Sequence, residues 1–257
     1  MKKADWQEIS DFLNAKYEYY NTSEFIAADP VSIPHLFTKK EDIEIAGLFA
    51  ATLAWGNRKS ILKNAGELMD RMDHRPFDFI SGHQKKDLKQ FDHFVHRTFN
   101  AKDLRFFISG LKHIYQCHGG LETAFTNGSG GNLKQAIGLF RSRMMEVQHE
   151  SRSEKHISDP FKKSSAKRLC MYLRWMVRND KRGVDFGIWS SLSPASLHLP
   201  LDVHTGNVSR QLRLLKRSQN DWQAVEEITA QLRKMDAADP VKYDFALFGL
   251  GVEGFFK

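Results

Sequence analysis

Residues 158–215 read SDPFKKSSAKRLCMYLRWMVRNDKRGVDFGIWSSLSPASLHLPLDVHTGNVSRQLRLL, and two helix starts inside this stretch decide the fold. Lys167 opens the first. Turning residues 167–178 by about 100° per residue groups Leu169, Tyr172, Leu173 and Met176 on one side, with Lys167, Met171, Arg174 and Arg178 on the other. One face is expected to be core and the other an exposed cationic strip. Asp202 follows thirty-five residues after Lys167. It stands behind Leu199-Pro200-Leu201 and ahead of Val208, Leu212 and Leu215 at helical spacing, which is the place of an N-cap. Taken alone, Asp202 is a capping residue.

Composition sets the bounds. The chain has 257 residues, 41% of them hydrophobic, with nineteen phenylalanines. That is enough core for one large domain or two small lobes. No apolar run approaches the roughly 18 residues of a membrane span. The opening MKKADWQEIS lacks the apolar run of a signal peptide, so a cytoplasmic protein without a membrane partner is expected. Cys117 and Cys170 read as reduced thiols rather than a disulfide framework. The net charge of +7 is unevenly spread: residues 151–217 hold fourteen Lys or Arg against five Asp or Glu. A concentrated positive field suits backbone phosphates, and a solvated basic surface accounts for it as well.

Outside the central stretch the pattern is helical. Residues 1–20 carry Trp6, Ile9, Phe12, Leu13 and Tyr17 at helical spacing. Asp29-Pro30 and Ile33-Pro34 break the helix. Further helices are expected over 40–54, 58–72, 77–80, 103–115 and 133–147, another after Asn220 or Asp221, and a last one opened by Asp239-Pro240 and closed by Gly249-Leu250-Gly251. Asp92, His93 and His96 have metal-like spacing but read as a surface helix, so no metal site is expected. Residues 149–158 are polar and aperiodic, as a link between lobes would be. No alternating strand of useful length stands out. The fold class is all-α, with one lobe over about 41–148 and a second built from 1–40 and 158–257.

The spacing and residues of the central stretch resemble the helix-hairpin-helix DNA glycosylase superfamily. There a lysine begins the helix after the hairpin, here Lys167-Arg168-Leu169, and an aspartate begins a later helix in an apolar-Asp-x-His motif, here Leu201-Asp202-Val203-His204. The chain also looks like an uncharacterised bacterial family sharing KRLxxxLRWMVR (167–178), VDFGIW (184–189) and KYDFALFGLG (242–251). The long lysine-to-aspartate interval is most similar to the archaeal 8-oxoguanine glycosylase branch. Two departures are plain. The hairpin reads Lys163-Ser164-Ser165-Ala166 where the superfamily has Gly-x-Gly, and two cysteines cannot hold the iron-sulfur cluster of many relatives, so no cofactor is expected.

What the resemblance implies is a two-lobed base excision repair enzyme acting as a monomer on lesion-containing double-stranded DNA, with 8-oxoguanine as the leading lesion. Lys167 would be the Schiff-base nucleophile of a bifunctional glycosylase and abasic-site lyase, and Asp202 would stabilise the sugar cation while still capping its helix. Lys162, Lys163, Ser164, Ser165, Arg168, Arg174 and His204 would meet the nucleic acid. The superfamily wedge glutamine has no match in Ala54-Trp55-Gly56-Asn57-Arg58, leaving Trp55 and Asn57 as replacements, with Phe186 and Trp189 as base-stacking candidates. Core packing is the competing reading for each of these aromatics. The rival function is a non-catalytic DNA- or RNA-binding module on the same scaffold.

Overall fold

The computed structural model describes residues 3–255, and side chains from residue 6 onward. It is all-α apart from one two-stranded ribbon. Contacts divide the chain into two compact units, residues 28–159 and residues 1–27 with 160–257.

The unit of residues 28–159 begins with two 3-10 turns, Pro30–Ser32 and Pro34–Leu36, which pack on α3 (Lys40–Leu53) and so fold with it. α3 is buried from Ile43 to Leu53, and α4 (Arg58–Arg71), α5 (Pro76–Gly82), α6 (Ala101–Cys117), α7 (Leu121–Thr126) and α8 (Leu133–Met144) complete the unit. Residues 92–96 are not a surface helix: a 3-10 turn over Asp87–Phe91 leads into the ribbon β1 (Val95–His96) and β2 (Phe99–Asn100). Asp92 pairs with Arg105, while buried His96 meets Asn64 at 2.8 Å and the Trp55 carbonyl at 3.3 Å, so these side chains form no ligand set. Residues 149–158 are no free linker either. Ser151–His156 form a 3-10 turn in which Arg152 and Ser153 donate to the buried Asp103 carboxylate at 2.8 and 2.6 Å. Asp103 and Asn100 also form the capping box of α6, so one carboxylate fastens both the helix start and the turn.

The second unit is assembled from both ends of the chain. α1 (Lys3–Tyr20) and α2 (Glu24–Ala28, the last residue just past the division) precede the unit above, and α9 (Lys167–Val177), α10 (Val203–Gln211), α11 (Trp222–Met235) and α12 (Tyr243–Glu253) follow it. α12 packs against α1 and α10. It runs through Gly249 and Gly251 and ends only at Gly254, which takes the left-handed conformation of a C-cap at φ 69°. The two internal glycines serve approach rather than termination. A β-carbon at Gly249 would lie 2.6 Å from the Tyr20 ring, and one at Gly251 would lie 3.1 Å from the His204 backbone.

α9 is the centre of this unit, and it is buried on every side from Leu169 to Val177. The cationic strip expected on one face does not exist: Arg174 is 3% and Arg178 is 1% exposed. The Arg174 guanidinium lies 4.3 Å over the Phe245 ring, its Nε donates to Asp185 at 3.2 Å, and its Nη1 pairs with Asp244. Arg178 donates to Asp185 at 3.0 Å, Asp239 at 2.8 Å and the Tyr17 hydroxyl at 2.9 Å. A helical wheel shows which residues share a face, not which face a distant helix covers, and α12 covers this one with its own carboxylate. The segment after α9 folds back on it. The Phe186 and Trp189 amides donate to the carbonyls of Trp175 and Met176 at 2.8 and 2.9 Å, satisfying acceptors that a helix end leaves open. Gly187 permits the return: it sits at φ 58°, and a β-carbon there would be 2.3 Å from that of Asn179.

Candidate catalytic site

The lysine side of the site is a hairpin that makes its turns without glycine. A 3-10 turn over Pro160–Lys162 is followed by Lys163 at φ 69° and Ala166 at φ 48°, both left-handed. Non-glycine residues pay about 1–3 kcal/mol each for such a conformation, so surrounding contacts must hold them. They do. Ser164 Oγ accepts from the Ala166 amide at 3.2 Å, Ser164 bridges Asp221, and the Trp222 amide donates to the Lys163 carbonyl at 3.2 Å. The turn is thereby fixed to the start of α11, and Ala166 delivers Lys167 as the first residue of α9.

The aspartate side is a cap with two separate duties. Asp202 Oδ1 accepts from the Thr205 amide at 3.0 Å, and Thr205 Oγ1 accepts from the Asp202 amide at 2.9 Å, a closed capping box at the start of α10. Asp202 Oδ2 is the oxygen turned toward Lys167, 3.8 Å from its Nζ. Asn220 holds the Asp202 backbone by donating to its carbonyl at 2.8 Å, and Arg210 donates to Asn220 Oδ1 at 2.6 Å. Gly206 leaves room for this clamp, since a β-carbon would lie 2.8 Å from Asn220 Oδ1. The Lys167 and Asp202 side chains are 24% and 23% exposed, so the pair meets solvent from a sheltered position. Nζ also touches Met171 Sδ at 3.6 Å, which keeps the lysine stem against the helix.

Asp244 on α12 feels the charges of both Lys167 and Asp202, and no spacing rule pointed to it. Burial pushes its carboxyl up to about 6, against the lowering by the Arg174 and Lys167 charges and with reinforcement from Asp202. Lys167 and Asp202 therefore both act on a buried carboxyl that titrates in a useful range. Removing the Lys167 charge in Lys167→Ala should raise the Asp244 midpoint, and removing the Asp202 charge in Asp202→Asn should lower it. Carbon-detected NMR titration of the Asp244 carboxyl checks both signs, and shifts in the opposite directions would dissolve the cluster. A raised acid pKa means that the folded state holds the extra proton, so Asp244 makes its full stability contribution below about pH 4 and loses it as pH rises through about 6.

The remaining sequence candidates fall into three groups. Lys162, Lys163 and His204 are exposed, and Ser164, Ser165 and Arg168 are half-buried around the same hairpin and cap. Arg168 is desolvated enough that its pKa drops to about 10. His204 Nδ1 lies 3.2 Å from the Gly251 carbonyl, on the wall of a groove of about 490 Å³ between α10 and the end of α12. Arg174 and Trp189 do not face solvent. Arg174 is spent on Asp185 and Asp244, and Trp189 is 2% exposed, edge-on to Tyr172 at 5.5 Å, because the returning segment buries it against α9. Phe186 is half-buried on that segment.

Trp55 and Asn57 belong to the other unit. Asn57 caps α4, accepting from the Ser60 amide at 3.2 Å, and half-buried Trp55 carries the Arg97 guanidinium 4.6 Å over its ring. Two exposed apolar side chains were not singled out by sequence: Phe161 in the hairpin and Val203 directly after Asp202, 53% and 65% exposed.

Among the described residues, no helix is long and apolar enough to cross a membrane. Neither a curated protein nor a solved structure matches the chain. Residues 29–253, which include Lys167, Asp202 and Asp244, match the family described as "Protein of unknown function (DUF2400)", and the chain belongs to that family.

Proposed function

We propose that the protein is a DNA-repair glycosylase and abasic-site lyase on a helix-hairpin-helix scaffold, working through a Lys167 Schiff base, with 8-oxoguanine the leading lesion by resemblance. The observation that carries this reading is the Lys167–Asp202 pair: an amine 3.8 Å from a carboxylate, both at helix starts and both a quarter exposed. Breaking an N-glycosidic bond leaves positive charge on the sugar, and Oδ2 of Asp202, the oxygen on the Lys167 side, would stabilise it while Oδ1 stays on the cap. Lys167 Nζ, having passed one proton to solvent, attacks C1′ as the bond to the base breaks, and the base leaves with the electron pair and a second proton from Nζ. The nitrogen lone pair then opens the sugar: the C1′–O4′ bond breaks, O4′ takes a proton from solvent, and the iminium so formed permits loss of a C2′ proton with elimination of the 3′ phosphate. Lys162 and Lys163 on the hairpin would meet phosphates, with Phe161 and Val203 as apolar contacts for an extruded nucleotide.

The test is borohydride trapping on labelled duplexes carrying 8-oxoguanine, uracil, thymine glycol or an abasic site. A covalent adduct lost in Lys167→Ala and retained in Lys163→Ala supports the reading and names the lesion. Asp202→Asn keeps a good cap, so it should fold normally while losing about 100-fold or more in activity; Asp202→Ala should in addition lose about 1 kcal/mol of stability. Equal activity in Asp202→Asn and wild type would remove the carboxylate from the chemistry. Binding of intact DNA or RNA with no adduct on any duplex would make the protein a nucleic-acid-binding module instead.

A further inference from the structure

The unit of residues 28–159 holds a convergence of ligating side chains unrelated to Lys167. His113 lies just ahead of the last turn of α6, and His118 is the C-cap residue of that helix. Gly119 and Gly120 follow at φ 70° and 95°, turning the chain away so that the His118 ring stays at the helix end. Glu146 comes directly after Met145, the C-cap of α8. Nε2 of His113 and Nε2 of His118 each lie 2.7 Å from the same oxygen, Glu146 Oε2, with the rings edge to face at 5.3 Å. All three donor atoms fall within 4.8 Å of one another. The imidazoles are half-buried and the glutamate faces solvent.

We propose that His113, His118 and Glu146 form a binding site for one divalent transition-metal ion of the zinc class, completed by water. Two imidazole nitrogens and a carboxylate oxygen are a ligand set for zinc, whose bonds of about 2.0–2.2 Å put tetrahedral ligands roughly 3.3 Å apart. To admit the ion each Nε2 would part from Oε2 by about 0.6 Å, and the two Nε2 atoms, which lie within 4.8 Å of one another, would settle to the same spacing. Magnesium and calcium require oxygen cages and are excluded by the two nitrogens. The solvent side of Glu146 leaves the fourth position to water. The ion would tie the C-terminal end of α6 to the segment leaving α8, two places separated in sequence by the Gly119–Gly120 turn, α7, the loop after it and α8.

The experiment uses the untagged full chain, stripped with chelator and titrated calorimetrically with zinc, with cobalt(II) absorption as a second readout. One zinc per chain is expected, together with tetrahedral cobalt bands lacking thiolate charge transfer. His113→Ala and His118→Ala should each weaken zinc binding by at least about 100-fold, and Glu146→Gln should weaken it as well. If an alanine variant does not fold, His118→Gln keeps a polar side chain at the same half-buried position and takes its place. Lys167→Ala should bind zinc like wild type, so this result stands apart from the fate of the glycosylase reading. No stoichiometric zinc in wild type, or undiminished affinity in the two histidine variants, overturns the site.

Discussion

Lys167→Ala is expected to abolish borohydride-trappable adduct and strand cleavage, with a fall of at least about 1000-fold, because it deletes the atom that forms the covalent bond. Its fold should survive. The ammonium makes one ion pair, at 3.8 Å and a quarter exposed, and such pairs contribute about 1 kcal/mol or less. Affinity for DNA should also be nearly kept, since a single cation among the many of residues 151–217 alters the salt slope by about 1 at most. Activity lost with folding and binding retained is the signature of a nucleophile. An adduct that persists in Lys167→Ala would assign the bond to another amine.

Arg174→Met should cost about 3–5 kcal/mol of stability, enough to lower the melting temperature by about 10 °C. The reason is the partner left behind. Asp244 is buried and pairs through Arg174, and Asp185 would keep only Arg178 at 3.0 Å. Arg174→Lys should recover part of the loss, because one ammonium cannot span two carboxylates as a planar guanidinium does. Adding Asp244→Leu to Arg174→Met should recover more, since an apolar pair of similar volume replaces a buried ion pair at little cost. Urea unfolding with all four proteins decides it. A loss below about 1 kcal/mol in Arg174→Met would mean that water reaches these carboxylates and that Arg174 is a surface residue after all.

The contrast between these two residues shows what the chain discloses by itself. Helices over 40–53, 58–71, 101–117, 133–144 and 222–235 follow from apolar periodicity and caps, and Asp202 caps α10 as its place before Val203 indicates. Arg174 and Lys167 share a face on the same wheel, yet one is buried and the other is not. The difference lies seventy residues downstream of Arg174, in the Asp244–Phe245 pair of α12. Asp244 itself could not be found by spacing, because its relation to Lys167 exists only once α12 is packed. The hairpin without glycine likewise hid its geometry. Lys163 and Ala166 adopt the left-handed turns that glycine favours, and the bond from the Trp222 amide that holds them comes from another helix. Trp189 was ambiguous for the same reason: an indole between two motif helices serves stacking or core equally well until the returning segment is placed.

The discontinuous unit also has a consequence for birth on the ribosome. Residues 28–159 can fold as soon as they emerge, with every partner already synthesised. α1 cannot, because α12, against which it packs, begins at Tyr243. At about 5–20 residues per second, α1 waits on the order of ten to forty-five seconds with its apolar face uncovered. Lys167, Asp202 and Asp244 come together only at the end of that wait, so a chain released before α12 would carry the lysine and its aspartate on an unfinished scaffold.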